Sequence, residues 1–110
     1  MFKSLISVDD FNKTIGTKDA VLVYFSHDNC NVCKALKPKV SDMVSHKFSK
    51  MTLCYSDTVN YPELAAQLGI FSVPTIIVFF GGKEFYRFSR NVGISELSDA
   101  IERPYDMMFG

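Results

Sequence analysis

The sequence contains no tryptophan, only three cysteines, no excess of either charge and no long hydrophobic run. Three unevenly spaced cysteines are too few for the disulfide framework that holds small secreted domains together. With 12 basic and 12 acidic residues, the formal net charge is zero, and the charges form no runs. The chain therefore lacks the electrostatic attraction that nucleic acids and anionic membranes exert on basic proteins, and we expect no nucleic-acid partner.

Hydrophobic stretches are too short for a membrane span. The longest, Val73–Phe80, falls far short of the about 20 apolar residues that a transmembrane helix needs, and it contains Pro74. The N-terminal residues have no long apolar core and include Asp9 and Asp10, so they do not resemble a secretory signal. We therefore expect a soluble, cytoplasmic protein with no membrane partner.

The composition is that of a packed globular domain. Of the 110 residues, 47% are hydrophobic and 10 are phenylalanine, which argues against an intrinsically disordered chain. A chain of this length can bury a substantial core without disulfide bonds. We expect residues 1–110 to form a single domain that acts as a monomer.

Short β-prone runs alternate with helical patterns along the chain. Val21–Phe25 is an apolar run typical of a strand buried on both faces, and Met51–Tyr55 is a second candidate strand. The predicted order is helix, strand, helix, strand, helix, strand, strand, helix, with a short strand at Phe2–Leu5 in front. Strands separated by helices predict parallel neighbours, and the Gly81-Gly82 turn predicts a hairpin that adds one antiparallel edge strand.

Capping and helix-breaking residues predict where the helices begin and end. Ser7 is placed to cap the first helix and Gly16 to end it, whereas Ser95 is placed to cap the last helix and Pro104 to close it. Pro38 lies inside the longest helical pattern and should kink that helix. The short apolar tail after the last helix is expected to pack against the domain or to be mildly disordered, and the alternative is a contact surface for a partner.

The pair Cys30-x-x-Cys33 lies where the strand Val21–Phe25 meets a helix. At a helix N-terminus, unpaired N–H groups and the positive end of the helix dipole favour a thiolate, which is the nucleophile of thiol–disulfide exchange. Cys33 follows one helical turn later on the same face, and an apolar environment favours its thiol form. We therefore predict that Cys30 attacks a substrate disulfide and that Cys33 resolves the mixed disulfide.

A single C-x-x-C pair is also compatible with half of a metal site or with two unreactive cysteines. A structural zinc site needs about four ligands, and the other soft ligands in the chain are Cys54, His27 and His46. No second C-x-x-C pair is present, and the strand–turn–helix context favours redox chemistry without a metal. Cys54 lies in an apolar run and is expected to be a buried strand residue.

Several motifs accompany the cysteine pair. They are the strand and loop VLVYFSHDNCNVCK, Pro38 five residues after Cys33, the loop Ser72–Thr75, the hairpin Phe80–Lys83, and Asn91–Gly93 before the last helix. Together, over about residues 1–103, they resemble the thioredoxin family. The resemblance implies an α/β thioredoxin fold, with a central mixed sheet of four to five strands flanked by helices on both faces. It also implies a thiol–disulfide oxidoreductase that needs no cofactor beyond the redox-active Cys30–Cys33 disulfide.

The resemblance assigns substrate contacts to Val73, Pro74 and Gly93. A cis Val73–Pro74 bond would place Pro74 beside the cysteines, keep metal away from them and leave the backbone of Val73 free to pair with an extended substrate. The alternative for Pro74 is an ordinary proline at the start of a strand. Gly93 is expected beside the active site. The implied partners are a disulfide-containing protein or small thiol substrate and a thioredoxin reductase-type electron donor.

Four positions depart from the family pattern. Asn29 replaces the usual tryptophan, Asn31-Val32 replaces the usual Gly-Pro, and Tyr24 replaces a buried aspartate that helps to move the proton of the resolving cysteine. The side chain of tyrosine ordinarily has a pKa of about 10. It is therefore a poor base in neutral solution. A water molecule or Asp57 is the alternative proton acceptor, and the alternative for Tyr24 is a plain core aromatic residue.

Two classes of function fit these features. The first is a catalytic oxidoreductase that acts as a reductase, with the oxidase and isomerase directions left open because Asn31-Val32 does not fix the redox potential. A charged His27 would favour the Cys30 thiolate, and Asp28 would oppose it. The second is a non-catalytic thioredoxin-fold binding or chaperone-like module, in which the dithiol is vestigial or regulatory and the apolar tail is the working surface.

Overall fold

The computed structural model of the protein describes residues 2–89 and 92–110. Helices and strands alternate through the described residues, and the hairpin near the C-terminal end is the one place where two strands follow each other directly. The elements are β1 (Lys3–Ser4), α1 (Val8–Thr17), β2 (Ala20–Ser26), α2 (Asn31–Lys47), β3 (Thr52–Asp57), α3 (Pro62–Gln67), β4 (Thr75–Phe80), β5 (Lys83–Ser89) and α4 (Ile94–Phe109). The predicted order is therefore confirmed, including the short first strand.

One five-stranded mixed sheet organises the molecule, with the strand order β1-β3-β2-β4-β5. Strand β2 lies at its centre, and all of its residues are buried. Because side chains alternate along a strand, Leu22 and Tyr24 enter the core beneath α2 and α4, whereas Val23 and Phe25 enter the core beneath α1 and α3. The sheet thus carries helices on both faces, as the sequence predicts.

The direction of β4 differs from the sequence-based prediction. We expected the hairpin partner β5 to be the only antiparallel strand, but β4 is the reversed one and runs antiparallel to both β2 and β5. After the short helix α3 of 6 residues, the chain begins β4 at the carboxyl ends of β2 and β3, where Thr75 pairs with Phe25. The antiparallel hydrogen bonds of β4 to both β2 and β5 hold it in this direction.

Helix α1 begins as predicted and ends differently. The Ser7 hydroxyl accepts a hydrogen bond from the backbone N–H of Asp10 at 3.0 Å and so caps the helix. Gly16 does not end the helix, which continues to Thr17, and Lys18 closes it by donating its N–H to the carbonyl of Thr14. Helix α2 includes Pro38 without interruption, so the kink expected there stays a prediction.

Helix α4 is longer at both ends than the sequence indicates. Gly93 rather than Ser95 occupies the N-cap position, and the helix runs through Pro104 to Phe109. The residues after Pro104 are held by tertiary contacts: the Tyr105 ring lies 5.0 Å from the Phe48 ring, centroid to centroid. The tail is therefore a packed helical end, because aromatic burial offsets the backbone hydrogen bond that a proline removes.

Within residues 2–89 and 92–110, the helices lack the combined length and apolar character that spanning a bilayer requires.

The end of α4 provides a test of this packing. Tyr105→Ala removes the ring contact with Phe48 and the hydroxyl that accepts the N–H of Lys50 at 3.0 Å. We expect the free energy of unfolding, measured by urea denaturation, to fall by about 2 kcal/mol. Met107→Ala on the same helix is the control, because that side chain is 81% exposed and should change stability by less than about 0.5 kcal/mol. Equal effects of the two variants would contradict the packed tail.

Candidate active site

The two cysteines of the C-x-x-C pair meet at the carboxyl end of β2, where α2 begins. They form a disulfide bond, with 5.2 Å between their Cα atoms. Cys30 is the N-cap residue of α2, and its Sγ accepts a hydrogen bond from the backbone N–H of Cys33 at 3.2 Å. The helix therefore presents an N–H group to the sulfur atom that the sequence analysis assigns as the nucleophile.

The environments of the two sulfur-bearing side chains differ. Cys33 is 1% exposed and belongs to the core beneath α2 and α4. Cys30 is half-buried and lines a surface groove of about 440 Å³. A reagent that enters this groove reaches Cys30 before Cys33, so the geometry separates an accessible thiol from a protected one.

The loop before β4 forms the other side of this groove. The groove is lined by Cys30, Asn31, Val32, Phe71, Ser72, Val73 and Pro74. The Val73–Pro74 peptide bond is cis, as the resemblance implies. Val73 is half-buried, and within the described residues its backbone makes no hydrogen bond to another part of the chain. The structure therefore brings Val73 and Pro74 together with Cys30.

Gly93 does not line the groove. It caps α4, where its carbonyl accepts the N–H of Leu97 at 3.0 Å. A Cβ atom added to Gly93 would meet no other atom within 4 Å, so packing does not require a glycine there. Asn91, which belongs to the same sequence motif, lies outside the described residues.

Tyr24 occupies the place where the family pattern has a buried aspartate. Its side chain is fully buried, and its hydroxyl donates a hydrogen bond to the backbone carbonyl of Cys33 at 2.7 Å. Burial, with a smaller effect from Tyr55, raises the pKa of Tyr24 to about 12. The phenol therefore stays protonated in neutral solution and acts as a hydrogen-bond donor to the backbone of Cys33 instead of a base.

The other polar residues near the cysteine loop have structural contacts. Asp57 accepts the backbone N–H groups of Val59 and Asn60, each at 2.9 Å, and so shapes the turn after β3. The His27 ring accepts the N–H of Asn29 at 3.2 Å, and the His27 carbonyl accepts the N–H of Cys30 at 3.2 Å. Asp57 lines a different depression from Cys30, so the structure does not bring this candidate proton acceptor into the dithiol groove.

Cys54 lies apart from the dithiol. It is fully buried among side chains beneath α1 and α3, whereas Cys33 lies on the opposite face of the sheet. Burial raises the pKa of the Cys54 thiol to about 11. The prediction of a buried strand residue is confirmed. Among the residues that the structure describes, His, Cys, Asp and Glu side chains form no group of three or more that could hold a metal ion.

Phe71 is a groove residue that the sequence analysis missed. Its side chain is 94% exposed at the rim of the groove, beside Ser72 and Val73. The available signal was a large aromatic residue directly before the Ser72–Thr75 motif. Sequence periodicity does not reveal exposure in a loop, so only the structure shows that this ring faces solvent next to the disulfide.

A mixed sheet with helices on both faces, a disulfide at a helix N-terminus and a cis proline beside it define the class of dithiol proteins with the thioredoxin fold. The family profile named Thioredoxin matches residues 3–103. The Thioredoxin-like protein YdfQ of Bacillus subtilis is 29% identical over 107 residues, which are 97% of this chain and 92% of that one.

Two further comparisons agree with this class. The thioredoxin of Fasciola hepatica superimposes with a TM-score of 0.84 at 26% identity, covering 93% of this chain and 98% of that one. The bifunctional thioredoxin reductase/thioredoxin of Mycobacterium leprae is 28% identical over 95 residues, which are 83% of this chain and 21% of that one. The chain belongs to the thioredoxin family. It is a thiol–disulfide oxidoreductase that works through a redox-active cysteine pair without a cofactor.

The hydrogen bond from Tyr24 predicts a pH-dependent stability. Tyr24→Phe leaves the carbonyl of Cys33 without this donor and should lower the free energy of unfolding by about 1 kcal/mol at neutral pH. The folded-state pKa of about 12 exceeds the ordinary 10.0, so the folded protein holds the phenol proton more tightly than the unfolded chain. The advantage of the unsubstituted protein should therefore be constant below about pH 10 and shrink as the pH rises towards 12.

Urea denaturation at several pH values measures this difference. Tyr61→Phe makes the same chemical change at an exposed side chain and should alter stability by less than about 0.5 kcal/mol. A Tyr24→Phe effect that grows between pH 10 and 12 would contradict the assignment of Tyr24 as a neutral donor.

Proposed function

We propose that this protein reduces protein disulfides, with Cys30 as the attacking nucleophile and Cys33 as the resolving thiol. The observation that carries the assignment is the asymmetry of the pair: Cys30 opens onto the groove at the N-terminus of α2, and Cys33 is 1% exposed. The N–H of Cys33 directed at the Cys30 sulfur favours a thiolate on Cys30 after reduction.

The proposed reaction consists of two exchanges. The Cys30 thiolate attacks one sulfur of the substrate disulfide, the substrate S–S bond breaks, and the departing thiolate takes a proton. Cys33 then loses its proton and attacks the Cys30 sulfur, so the mixed disulfide breaks and the second substrate thiol leaves. The substrate gains two electrons and two protons, and the protein ends as the Cys30–Cys33 disulfide.

Proton removal from Cys33 follows a different route from the one that the family pattern implies. Tyr24 donates to the Cys33 carbonyl, and within the described residues no carboxylate hydrogen-bonds to either residue. The departing substrate thiolate or a water molecule in the groove is the proposed proton acceptor. Neither acceptor requires a charged side chain beneath the dithiol.

Substrate binding in this proposal uses the loop before β4. The backbone of Val73, which makes no hydrogen bond within residues 2–89 and 92–110, pairs with an extended substrate segment in the manner of an added strand, and the cis Pro74 places that backbone beside Cys30. Gly93 is retained as a proposed substrate contact at the start of α4, outside the groove itself. These three residues are therefore the proposed contacts of a bound substrate.

The remaining partners complete the cycle. A thioredoxin reductase-type donor returns two electrons to the Cys30–Cys33 disulfide, and the fused reductase and thioredoxin of Mycobacterium leprae supports such a pairing. We propose that residues 1–110 act as a single monomeric domain in the cytoplasm, a compartment in which protein thiols are kept reduced. Within the apolar tail, the Tyr105 ring packs against Phe48 and Phe109, which disfavours the binding-module alternative at these aromatic side chains.

Substitution of each cysteine tests the division of roles. With dithiothreitol as the electron source and a protein disulfide as the substrate, Cys30→Ser should abolish reduction because the nucleophile is gone. Cys33→Ser should also stop turnover, but it should accumulate a covalent mixed disulfide between Cys30 and the substrate, detectable by mass spectrometry. Cys54→Ala is the matched control and should retain activity, because Cys54 lies on the opposite face of the sheet.

Two results would overturn the proposal. Undiminished activity of Cys30→Ser would remove the enzymatic role of the pair, and accumulation of the mixed disulfide in Cys30→Ser in place of Cys33→Ser would reverse the assigned roles.

The pKa of the reduced Cys30 thiol provides a second test. In Cys33→Ser protein, the ultraviolet absorbance of the thiolate should rise with an apparent pKa below about 7.5, as is typical of cysteines at helix N-termini. The signal of Cys54 is separable, because burial places its pKa at about 11. An apparent pKa for Cys30 of about 8.5 or higher would show that the helix does not activate this thiol.

A further inference from the structure

Phe71 forms a ridge between two depressions of the surface. One is the dithiol groove described above, and the other has a volume of about 340 Å³ and lies on the side of α3. Phe71, Ser72 and Val73 line both depressions and so form their common wall. The Phe71 ring is 94% exposed, so nearly all of its apolar surface is available to a ligand.

The second depression, which we name the α3 pocket, is mainly apolar. Its lining residues are His27, Thr58, Pro62, Ala65, Ala66, Ile70, Phe71, Ser72 and Val73. Among these residues, His27 has the only titratable side chain. The pocket therefore contains no permanently charged side chain that could pair with a charged ligand. An apolar ligand would contact the side chains of proline, alanine, isoleucine and phenylalanine.

The dithiol groove has a second exposed apolar residue at its rim. Val32, between the two cysteines, is 62% exposed and lines the groove together with Phe71. The position between the cysteines therefore presents a branched apolar side chain to an arriving substrate. The cysteine of a bound substrate therefore lies next to the apolar side chains of Val32 and Phe71. Charged substrate residues beside that cysteine would lose hydration there without gaining a partner, so they disfavour binding.

We propose that Phe71 and the α3 pocket select substrate proteins that carry a bulky apolar side chain about two residues from the reacting cysteine. This inference deepens the proposed function and rests on it. A segment that pairs with the backbone of Val73 is extended, and in an extended chain residues two apart point to the same side about 7 Å from each other. When the substrate cysteine reaches Cys30, the side chain two residues away passes the Phe71 ridge and enters the α3 pocket.

The occupant is a segment of the substrate because the two depressions are adjacent. They share the three consecutive residues 71–73, and the substrate disulfide must enter the groove that contains Cys30 for any exchange to occur. The α3 pocket is the next surface that the bound chain meets. Phe71 is therefore a residue that determines specificity at the active-site rim, with no role in the bond-making steps.

Peptide substrates test this selection directly. Each probe is a short peptide whose single cysteine is linked by a disulfide to a chromophoric thiol, and the residue two positions away is phenylalanine or serine. We expect the unsubstituted protein to reduce the phenylalanine peptide with a kcat/KM about tenfold above that of the serine peptide. The disulfide of the chromophoric thiol alone, which does not reach the α3 pocket, measures the intrinsic reactivity of Cys30.

Two variants test the contribution of Phe71 and that of the α3 pocket separately. Phe71→Ser should bring the ratio of kcat/KM values for the two peptides close to one, after each value is divided by that of the same variant on the small disulfide. Ala66→Phe should have the same effect by filling the α3 pocket. Ala66 is exposed on α3 and lines the α3 pocket but not the dithiol groove. Met107→Ser and Gln67→Phe are the matched controls, since both residues are exposed and line neither depression, and each should keep the tenfold ratio.

The outcomes distinguish failure of the inference from failure of the proposed function. An unsubstituted protein without preference, or a Phe71→Ser variant that retains it, would overturn the inference and leave the reductase role intact. Retained preference in Ala66→Phe would show that the side chain does not enter the α3 pocket, which also overturns it. Loss of the small-disulfide activity in Cys30→Ser, checked in parallel, tests the proposed function alone.

Discussion

The reversed direction of β4 is the constraint on which the site depends. The connection through the short helix α3 stays at the carboxyl ends of β2 and β3, and antiparallel pairing with β2 and β5 fixes the direction of β4. Thr75 consequently pairs with Phe25, and the loop containing the cis Pro74 arrives beside Cys30. With a parallel β4, that loop would lie at the far end of the sheet and the dithiol would have no groove.

The backbone of α2 creates the chemical difference between the two cysteines. Cys30 precedes the first helical residue and accepts the N–H of Cys33, whereas the Cys33 side chain turns into the core. Tyr24 reinforces this arrangement from the centre of the sheet by donating to the carbonyl of Cys33. A neutral phenol at this position fixes the backbone of Cys33 and does not act as a base.

The chemistry and the choice of substrate reside in different parts of the molecule. The buried strand β2, the start of α2 and the cis Val73–Pro74 bond are the features that match the thioredoxin family. Val32 and Phe71, in contrast, are exposed at the rim of the groove, where they contribute little to the core. A change of side chain at the rim alters the affinity for one substrate relative to another. It leaves the exchange reaction at the cysteine pair unaltered.

The sequence by itself determined the order of the elements, the buried centre at Val21–Phe25 and the place of Cys30 and Cys33, because these depend on local periodicity, capping and spacing. Tertiary structure decided the direction of β4, the continuation of α4 past Pro104 and the exposure of Phe71. The reason is physical: the direction of β4 is fixed by its antiparallel pairing with β2 and β5, and the end of α4 is stabilised by the contact between Tyr105 and Phe48. Both depend on residues distant in sequence, and no local pattern contains that information.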